Sequence, residues 1–209
     1  KATRQARKTR EALETARLLG KHRAFSPDAA QSIVRSLATE WVGSAHDTAR
    51  LLQAWNSREP AERATPELAI SAAQRLAALG GDPSQVRGWL LPVWERMLAQ
   101  PDSLPDNQQL KLVQTLESAL AGVDADWLAR IESARQRNRR DARLTYLAGA
   151  ACVERQLWGK AQVLLAQAAQ RLQDVPLRRN AWRALALLAE RRDDATAAAE
   201  AWKNAALAS

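Results

Sequence analysis

A helix pair occurs twice in the last part of the chain, and this repeat constrains the fold more than any other feature of the sequence. The two copies carry a matching set of small and bulky residues at relative positions 8, 20, 24 and 27, and the second copy also has a tryptophan at position 4. They are Gly149, Ala161, Leu165 and Ala168 in the first copy, and Trp182, Ala186, Ala198, Trp202 and Ala205 in the second. The copies are offset by 37 residues. Small residues at positions 8, 20 and 27 let the two helices of a pair approach closely, and the bulky residue at position 24 fills the space toward the next pair.

This arrangement is the pattern of the tetratricopeptide repeat, whose usual period is about 34 residues. The composition agrees, because alanine, leucine, arginine, glutamine and glutamate favour helices and no β-branched run alternates with period two. We therefore predict an all-α fold of antiparallel helix hairpins stacked as an α-solenoid, with tetratricopeptide-like repeats clearest in the C-terminal half. Such arrays form binding surfaces and rarely carry chemistry.

Prolines, glycines and capping residues divide the chain into predicted helices. Phe25, Ser26 and Pro27 have the order of a staple residue, an N-cap and a first helical proline. The predicted helices cover 5–23, 27–42, 45–57, 66–79, 83–99, 106–121, 124–138, 141–156, 158–173, 177–191 and 194–208. We expect degenerate hairpins over 1–105 and tetratricopeptide repeats over 106–209, in one continuous solenoid.

Charge and composition place limits on the class of protein. The formal net charge is +8, which permits an acidic protein partner, an anionic membrane surface or nucleic acid. An apolar content of 46% argues against disorder, and one cysteine cannot form an internal disulfide. No apolar run reaches the roughly 18 residues of a membrane span. Because the chain begins at Lys1 without a methionine, we expect it to be part of a longer protein.

Residue types that carry catalysis are sparse. His22 and His46 are the two histidines, too few for a metal site of the usual kind, and we expect both to be structural. Cys152 falls at a packed position of the repeat and is expected to be a small buried residue. Gly80 and Gly81 end a helix without the context of a phosphate-binding loop. The sequence therefore predicts no catalytic residues, no metal site and no enzyme.

Two basic clusters stand out against this background. The first lies along the first helix and comprises Lys1, Arg4, Lys8 and Glu11 on one stripe with Arg7 and Arg10 beside it. The second spans a predicted helix end and the loop after it, and comprises Arg135, Arg137, Arg139, Arg140 and Arg143. Each cluster is either a solvated face or a contact for an acidic protein or anionic lipid. No nucleic-acid-binding motif accompanies them, so we expect no nucleic acid.

Tryptophan is unusually frequent, with 8 residues against one tyrosine and one phenylalanine. Four lie at helical spacing among leucines and alanines and are predicted core residues: Trp94, Trp127, Trp182 and Trp202. Trp158 is placed to wedge a turn, and Trp41, Trp55 and Trp89 have no assigned position. An exposed tryptophan would either anchor a protein partner or stack on a planar ligand.

Four segments together resemble the C-terminal part of the HemY family of proteobacterial inner-membrane proteins. They are ETARLLGKHRAFSPDAAQSIVRSLATEWV (14–42), LLQAWNS (51–57), RATPELAISAAQRLAALGG (63–81) and LTYLAGAACVERQLWGKAQVLLAQAAQRL (144–172). The LWGKA segment from Leu157 to Ala161 and the final repeat carry the likeness most specifically. The resemblance implies membrane spans upstream of this chain and an association with the late steps of protoheme synthesis.

The resemblance leads to a hypothesis of function. The chain would be a non-catalytic scaffold that holds late haem-biosynthesis enzymes at the bacterial inner membrane, on the cytoplasmic face, with the Arg135–Arg143 cluster as a contact. One alternative is a porphyrin or haem carrier, in which axial ligands would come from His22, His46, Met97, Tyr146 or Cys152. The other is a general repeat adaptor whose link to haem is indirect. The hypothesis itself requires no cofactor.

Overall fold

The protein is an all-α, repeat-like packing of helices, as predicted. The computed structural model describes residues 2–21 and 27–208, with side chains described in these ranges except at 2–7, 19–21, 27–28 and 30–31. Over this part of the chain there are twelve α-helices and no strand. The chain divides into two compact units, residues 1–115 and 116–209. The division falls within a helix.

The first unit holds six helices, a short 3-10 turn and most of a seventh helix. They are α1 (Ala2–Lys21), α2 (Pro27–Gly43), α3 (Thr48–Asn56), α4 (Pro60–Arg63), α5 (Pro66–Ala78), α6 (Pro83–Ala99), the 3-10 turn Pro101–Ser103 and α7 (Asp106–Ser118). The one-turn helix α4 lies where a connection was expected. Proline suits the first position of a helix as well as a loop, so Pro60 begins α4 after the extended residue Glu59. The predicted cap at Phe25 and Ser26 lies outside the described residues.

The second unit begins at the end of α7 and holds the five remaining helices. They are α8 (Ala125–Arg137), α9 (Ala142–Glu154), α10 (Trp158–Arg171), α11 (Val175–Glu190) and α12 (Ala195–Leu207). Each helix packs on the next from α8 to α12, and α11 also contacts α9. Because the connections are short, neighbours run antiparallel and the turns alternate between the two ends of the unit.

Aspartates fix the starts of four of these five helices, α8, α9, α11 and α12. Asp124 accepts a hydrogen bond from the Trp127 amide at 2.7 Å, Asp174 from Leu177 at 2.9 Å and Asp194 from Ala197 at 3.0 Å. Asp141 caps α9 in the same way. Each carboxylate satisfies an amide that has no partner within its helix and lies at the positive end of the helix dipole. Much of the unit's negative charge is therefore held at helix starts.

The helices α9 and α10 approach each other closely at Gly149. A Cβ atom added to Gly149 would lie 2.9 Å from Cγ of Leu165 and 3.2 Å from its backbone nitrogen. Leu165 is fully buried, as are Ala161 and Ala168 on the same helix. The missing side chain at Gly149 therefore gives α10 the room to lie directly against α9.

The two hairpins share a backbone feature in their turns. Gln156 between α9 and α10 has φ of +59°, and Asp193 between α11 and α12 has φ of +56°. These residues are separated by 37 positions, the same offset as the side-chain pattern. A left-handed residue commonly ends a helix, so the repeat extends to the geometry of the turn.

A cluster of aromatic and charged side chains organises the first unit. The rings of Trp55 and Trp89 stack with centroids 4.4 Å apart, which joins α3 to α6. The buried guanidinium of Arg58 lies 4.7 Å from the ring centre of Trp41. Arg17 on α1 pairs with Glu62 at 2.5 Å. The three tryptophans without a predicted position thus link α2, α3 and α6.

Candidate functional site: the basic edge of the second unit

Two chain reversals meet at one end of the second unit and carry most of the predicted basic cluster. The turn from α8 to α9 contains Arg139 and Arg140, and Arg137 lies in the last turn of α8. All three side chains are exposed. Arg171, in the last turn of α10, comes to the same place from the following hairpin. We call Arg137, Arg139, Arg140 and Arg171 the basic edge.

Arg171 holds the loop of the basic edge in position. Its Nη2 donates a hydrogen bond to the carbonyl oxygen of Arg140 at 2.9 Å, and its Nη1 donates to that of Arg139 at 3.4 Å. The bonds occupy carbonyl groups that a tight turn would otherwise leave to water. Arg139 and Arg140 take part in this contact through their backbone carbonyl groups, and both residues are exposed.

The predicted cluster did not include Arg171, although the repeat register indicates that Arg171 lies beside Arg137. Trp127 lies 34 residues before Ala161, one usual repeat period, so that the two residues occupy equivalent positions of successive pairs. Arg137 lies ten positions after Trp127, and Arg171 lies ten positions after Ala161. Equivalent positions of stacked repeats lie side by side. Extending the register to the helix ends would therefore have placed both arginines together.

The other two arginines of the predicted cluster have local partners. The guanidinium of Arg143 pairs with Asp141 at 3.3 Å, which offsets its charge. Arg135 is half-buried, and its Nε has no hydrogen-bond partner among the described residues. Its charge acts on Cys152 of α9, so it belongs to the packing between α8 and α9. Only part of the predicted cluster is therefore available to a partner.

The electrostatics of the basic edge follow from its position at helix ends. The C-termini of α8 and α10 carry partial negative charge, which favours Arg137 and Arg171. Arg139 and Arg140 add two exposed cations between them. Guanidinium groups bind carboxylates and phosphates in a bidentate geometry. The basic edge can therefore bind an anionic group, with an affinity that falls as salt increases.

A polar network that sequence reasoning missed lies elsewhere in the same unit. The carboxylate of Glu117 accepts hydrogen bonds from the Tyr146 hydroxyl and from Nδ2 of Asn180, the latter at 2.8 Å. Burial raises the pKa of Glu117, although both donors favour the carboxylate. Burial also raises the pKa of Tyr146 well above its usual value. The network joins α7, α9 and α11.

The residues predicted to pack the second copy of the repeat differ in their burial. Ala186, Ala198 and Ala205 are buried and Trp182 is half-buried. Trp202 was expected to fill the space toward a next pair, yet 37% of it is exposed. The physical reason is that no helix follows α12 among the described residues.

Most candidate haem ligands are enclosed. Cys152, Met97 and Tyr146 are buried, while His46 is exposed and His22 lies outside the described residues. Burial raises the pKa of the Cys152 thiol, which disfavours the thiolate that binds iron. In the searched residues no three His, Cys, Asp or Glu side chains are grouped to hold a metal ion. The geometry thus gives no specific support to a haem carrier.

The first predicted cluster lies only partly within the residues whose side chains the structure describes. Lys8, Arg10 and Glu11 are exposed on α1, and the side chains of Lys1, Arg4 and Arg7 lie outside the described residues. Arg10 pairs with Glu14 at 3.0 Å. Among the described helices, none combines the length and the apolar character that crossing a membrane requires.

Comparison with protein-family models, curated proteins and solved structures finds no match to this chain.

Proposed function

We propose that the chain is a non-catalytic interaction scaffold that binds acidic partner proteins through the basic edge of its second unit. The observation that carries this proposal is the meeting of Arg137, Arg139, Arg140 and Arg171 at one end of two successive hairpins. Four exposed guanidinium groups on a short loop and two helix ends repel one another unless anions lie between them. A complementary acidic surface would remove this repulsion and steer the partner to the site.

The resemblance to HemY supports a more specific form of the proposal. The partners would be late haem-biosynthesis enzymes, held near each other at the inner membrane so that porphyrins pass between them. A tetratricopeptide-like array suits this role because each hairpin adds surface without requiring a catalytic residue. The basic edge would make the contacts.

Charge reversal tests the proposal with a matched control. The test variant changes Arg137, Arg139 and Arg140 to Glu, while the control changes Arg155, Arg183 and Arg192, which are also exposed on the second unit. Both variants alter the net charge equally. The full-length protein is cross-linked in its native membrane, and its neighbours are identified by mass spectrometry. We expect porphyrin-oxidising or iron-inserting enzymes with the wild type and the control, and their loss from the test variant.

The possible failures are distinct. Equal capture by the wild type and both variants would exclude the basic edge as the contact. Equal loss from both variants would show an effect of net charge alone. Neighbours unrelated to haem would leave a general adaptor and remove the pathway from the proposal. Circular dichroism of each variant checks that helicity is unchanged.

A further inference from the structure

The carboxylate of Glu62 serves two arginines of the first unit at once. Glu62 lies on the one-turn helix α4. Nη2 of Arg17 on α1 donates hydrogen bonds to both of its oxygens, to Oε1 at 2.6 Å and to Oε2 at 2.5 Å. Nη1 of Arg58, which follows the end of α3, lies 4.0 Å from the same Oε2. Two cations from different parts of the unit therefore compete for one carboxylate.

Arg17 makes the short contact, although Arg58 is the more deeply buried of the two arginines. The side chain of Arg58 is 3% exposed, against 33% for Arg17. Nη1 of Arg58 has no hydrogen-bond partner among the described residues. A buried charge without a close counter-ion costs more free energy than an exposed one, because water cannot solvate it. Arg58 would therefore gain more than Arg17 from close contact with Glu62.

The attachment of α1 to the first unit is narrow where its side chains are described. Over residues 8–18 the buried side chains are Thr9, Leu13 and Ala16, of which Leu13 alone is large. The helix packs against α2, where the Thr9 hydroxyl donates a hydrogen bond to Oε1 of Glu40 at 3.2 Å. Burial of an apolar face supplies most of the stability of a docked helix. So small a face leaves a large share of the attachment to the ion pair with α4.

The same helix borders the buried guanidinium. Three charged residues of α1 act on Arg58, namely Arg17, Glu14 and Arg10. The guanidinium also lies 4.7 Å from the ring centre of Trp41 on α2. Arg58 therefore lies at the edge of the surface that α1 covers. Release of α1 would bring solvent to the guanidinium and leave Glu62 as its nearest counter-ion.

We propose that α1 is a strap that opens and closes on the first unit without unfolding the rest, and that Glu62 passes from Arg17 to Arg58 when the strap opens. In the closed state Glu62 holds α1 through Arg17. In the open state the same carboxylate moves onto Nη1 of Arg58, which lacks a partner within the described part of the chain. The new contact offsets part of the loss, so the open state is reached at low cost. Segments with few buried apolar contacts are those that open locally.

Ionic strength biases the strap toward its open state. The side chains of Arg17 and Glu62 are 33% and 25% exposed, so dissolved ions screen their attraction. A contact between Glu62 and Arg58 is screened less, because Arg58 is held against Trp41. Rising salt therefore weakens the closed contact more than the open one. The strap contains no residue of the basic edge, so it does not depend on the proposed function.

Hydrogen–deuterium exchange of the full chain at low and at high salt tests the proposal. We expect the amides of α1 to exchange faster as salt rises, while those of the buried helix α5 do not change. Glu62→Gln should speed exchange in α1 several-fold at low salt and remove most of its salt dependence. Glu59→Gln is the matched control. It removes one exposed carboxylate that makes no capping bond at the start of the same helix, so exchange should match the wild type.

The transfer of Glu62 to Arg58 has a separate readout in urea unfolding. Arg17→Gln removes the strap contact alone, whereas Glu62→Gln also leaves Arg58 without its counter-ion. Glu62→Gln should therefore lower the urea midpoint more than Arg17→Gln does. In the Arg58→Met background the two variants should lower the midpoint equally, because only the contact with Arg17 is left to lose.

Two results would overturn the proposal. If exchange in α1 did not respond to salt or to Glu62→Gln, or rose together with exchange in α5, α1 would not be a separate strap. If Arg17→Gln and Glu62→Gln lowered the urea midpoint equally with Arg58 present, Glu62 would not pass to Arg58.

Discussion

The hydroxyl of Tyr146 donates a hydrogen bond to the carboxylate of Glu117, so that α9 is tied to the end of α7. Asn180 of α11 donates to the same carboxylate oxygen. The end of α7 and the helices α9 and α11 are thereby joined at one atom. Burial nevertheless disfavours the charged form and raises the pKa of Glu117 above its usual 4.5. The charged form of Glu117 therefore costs stability above its raised pKa.

Glu117→Gln should change how stability depends on pH. The folded protein retains a proton on Glu117 that the unfolded chain loses as the pH rises past about 4.5. The contribution of Glu117 to the free energy of unfolding therefore falls from that pH until the raised pKa is passed. Glutamine keeps the carbonyl acceptor and does not titrate. Urea unfolding followed by circular dichroism should show Glu117→Gln gaining stability relative to the wild type across this window.

Tyr146→Phe is the companion to that experiment. It removes one donor to the Glu117 carboxylate, so the pKa of Glu117 should rise further and the loss of stability with pH should extend to higher pH. The variant should also cost about 1–2 kcal/mol near neutral pH, because a buried acceptor loses a partner. If the free energies of unfolding of the wild type and of Glu117→Gln changed in parallel with pH, the pKa of Glu117 would not be raised in the folded protein.

The sequence predicts the helices well but not this network. Helix positions follow from local signals such as Asp124, Asp174 and Asp194, whose side chains act within three residues. Asn180 and Glu117 are separated by 63 residues, so their meeting depends on which faces of the helices pack together. No local pattern records that choice.

The basic edge could be predicted from the sequence in part, less fully than the helices and more fully than the Glu117 network. Arg137, Arg139 and Arg140 form a run that is visible in the sequence, and their exposure follows from the turn. The sequence did not predict that Arg143 would be separate from the basic edge. Its guanidinium could either pair with Asp141 or extend into solvent, and in the structure it pairs with Asp141. The burial of Arg135 depends on how α8 packs against α9. Residue type gave the charge, and packing decided which charges remain available.

Gly149→Ala should destabilise the second unit despite a better helix former. The added Cβ would lie within 3.0 Å of the Leu165 side chain, inside a hairpin without free space. Overpacking of this kind costs about 1–3 kcal/mol, which exceeds the roughly 1 kcal/mol gained from helix propensity. Chemical denaturation would measure the difference.

Gly159→Ala is the matched control for Gly149→Ala. It adds a methyl group at Gly159 of α10, where nothing lies within 4 Å. We expect no loss of stability, and a gain of up to about 1 kcal/mol from helix propensity. If both variants change stability by the same amount, the contact between Gly149 and Leu165 does not limit the hairpin.

The buried Arg58 should tolerate methionine better than lysine. Its guanidinium covers Trp41 and donates from Nε to the Ala54 carbonyl oxygen at 3.3 Å. Burial and the nearby charge of Arg17 lower the pKa of Arg58, so the site disfavours a cation. Methionine keeps much of the packing without a charge, whereas lysine buries a more strongly hydrated ammonium. We expect Arg58→Lys to cost about 1–3 kcal/mol more than Arg58→Met by urea unfolding.

Arg50 provides the control for Arg58. It is an exposed arginine on α3, paired with Asp47 at 3.4 Å. Arg50→Met and Arg50→Lys should each change the free energy of unfolding by less than about 0.5 kcal/mol. A larger loss in Arg58→Met than in Arg58→Lys would show that the charge of Arg58 stabilises the unit.

Arg171→Ala should loosen the loop of the basic edge, whereas Arg137→Ala should not. Both variants remove one exposed charge from the same place, but only Arg171 donates hydrogen bonds to the carbonyl oxygens of Arg139 and Arg140. Losing these bonds frees the turn to open locally. Hydrogen–deuterium exchange should therefore be several-fold faster at the amides of residues 138–141 in Arg171→Ala, with Arg137→Ala near the wild type. Equal exchange in the two variants would mean that the turn is held by its own backbone bond from the Asp141 amide to the Asn138 carbonyl oxygen, at 3.2 Å.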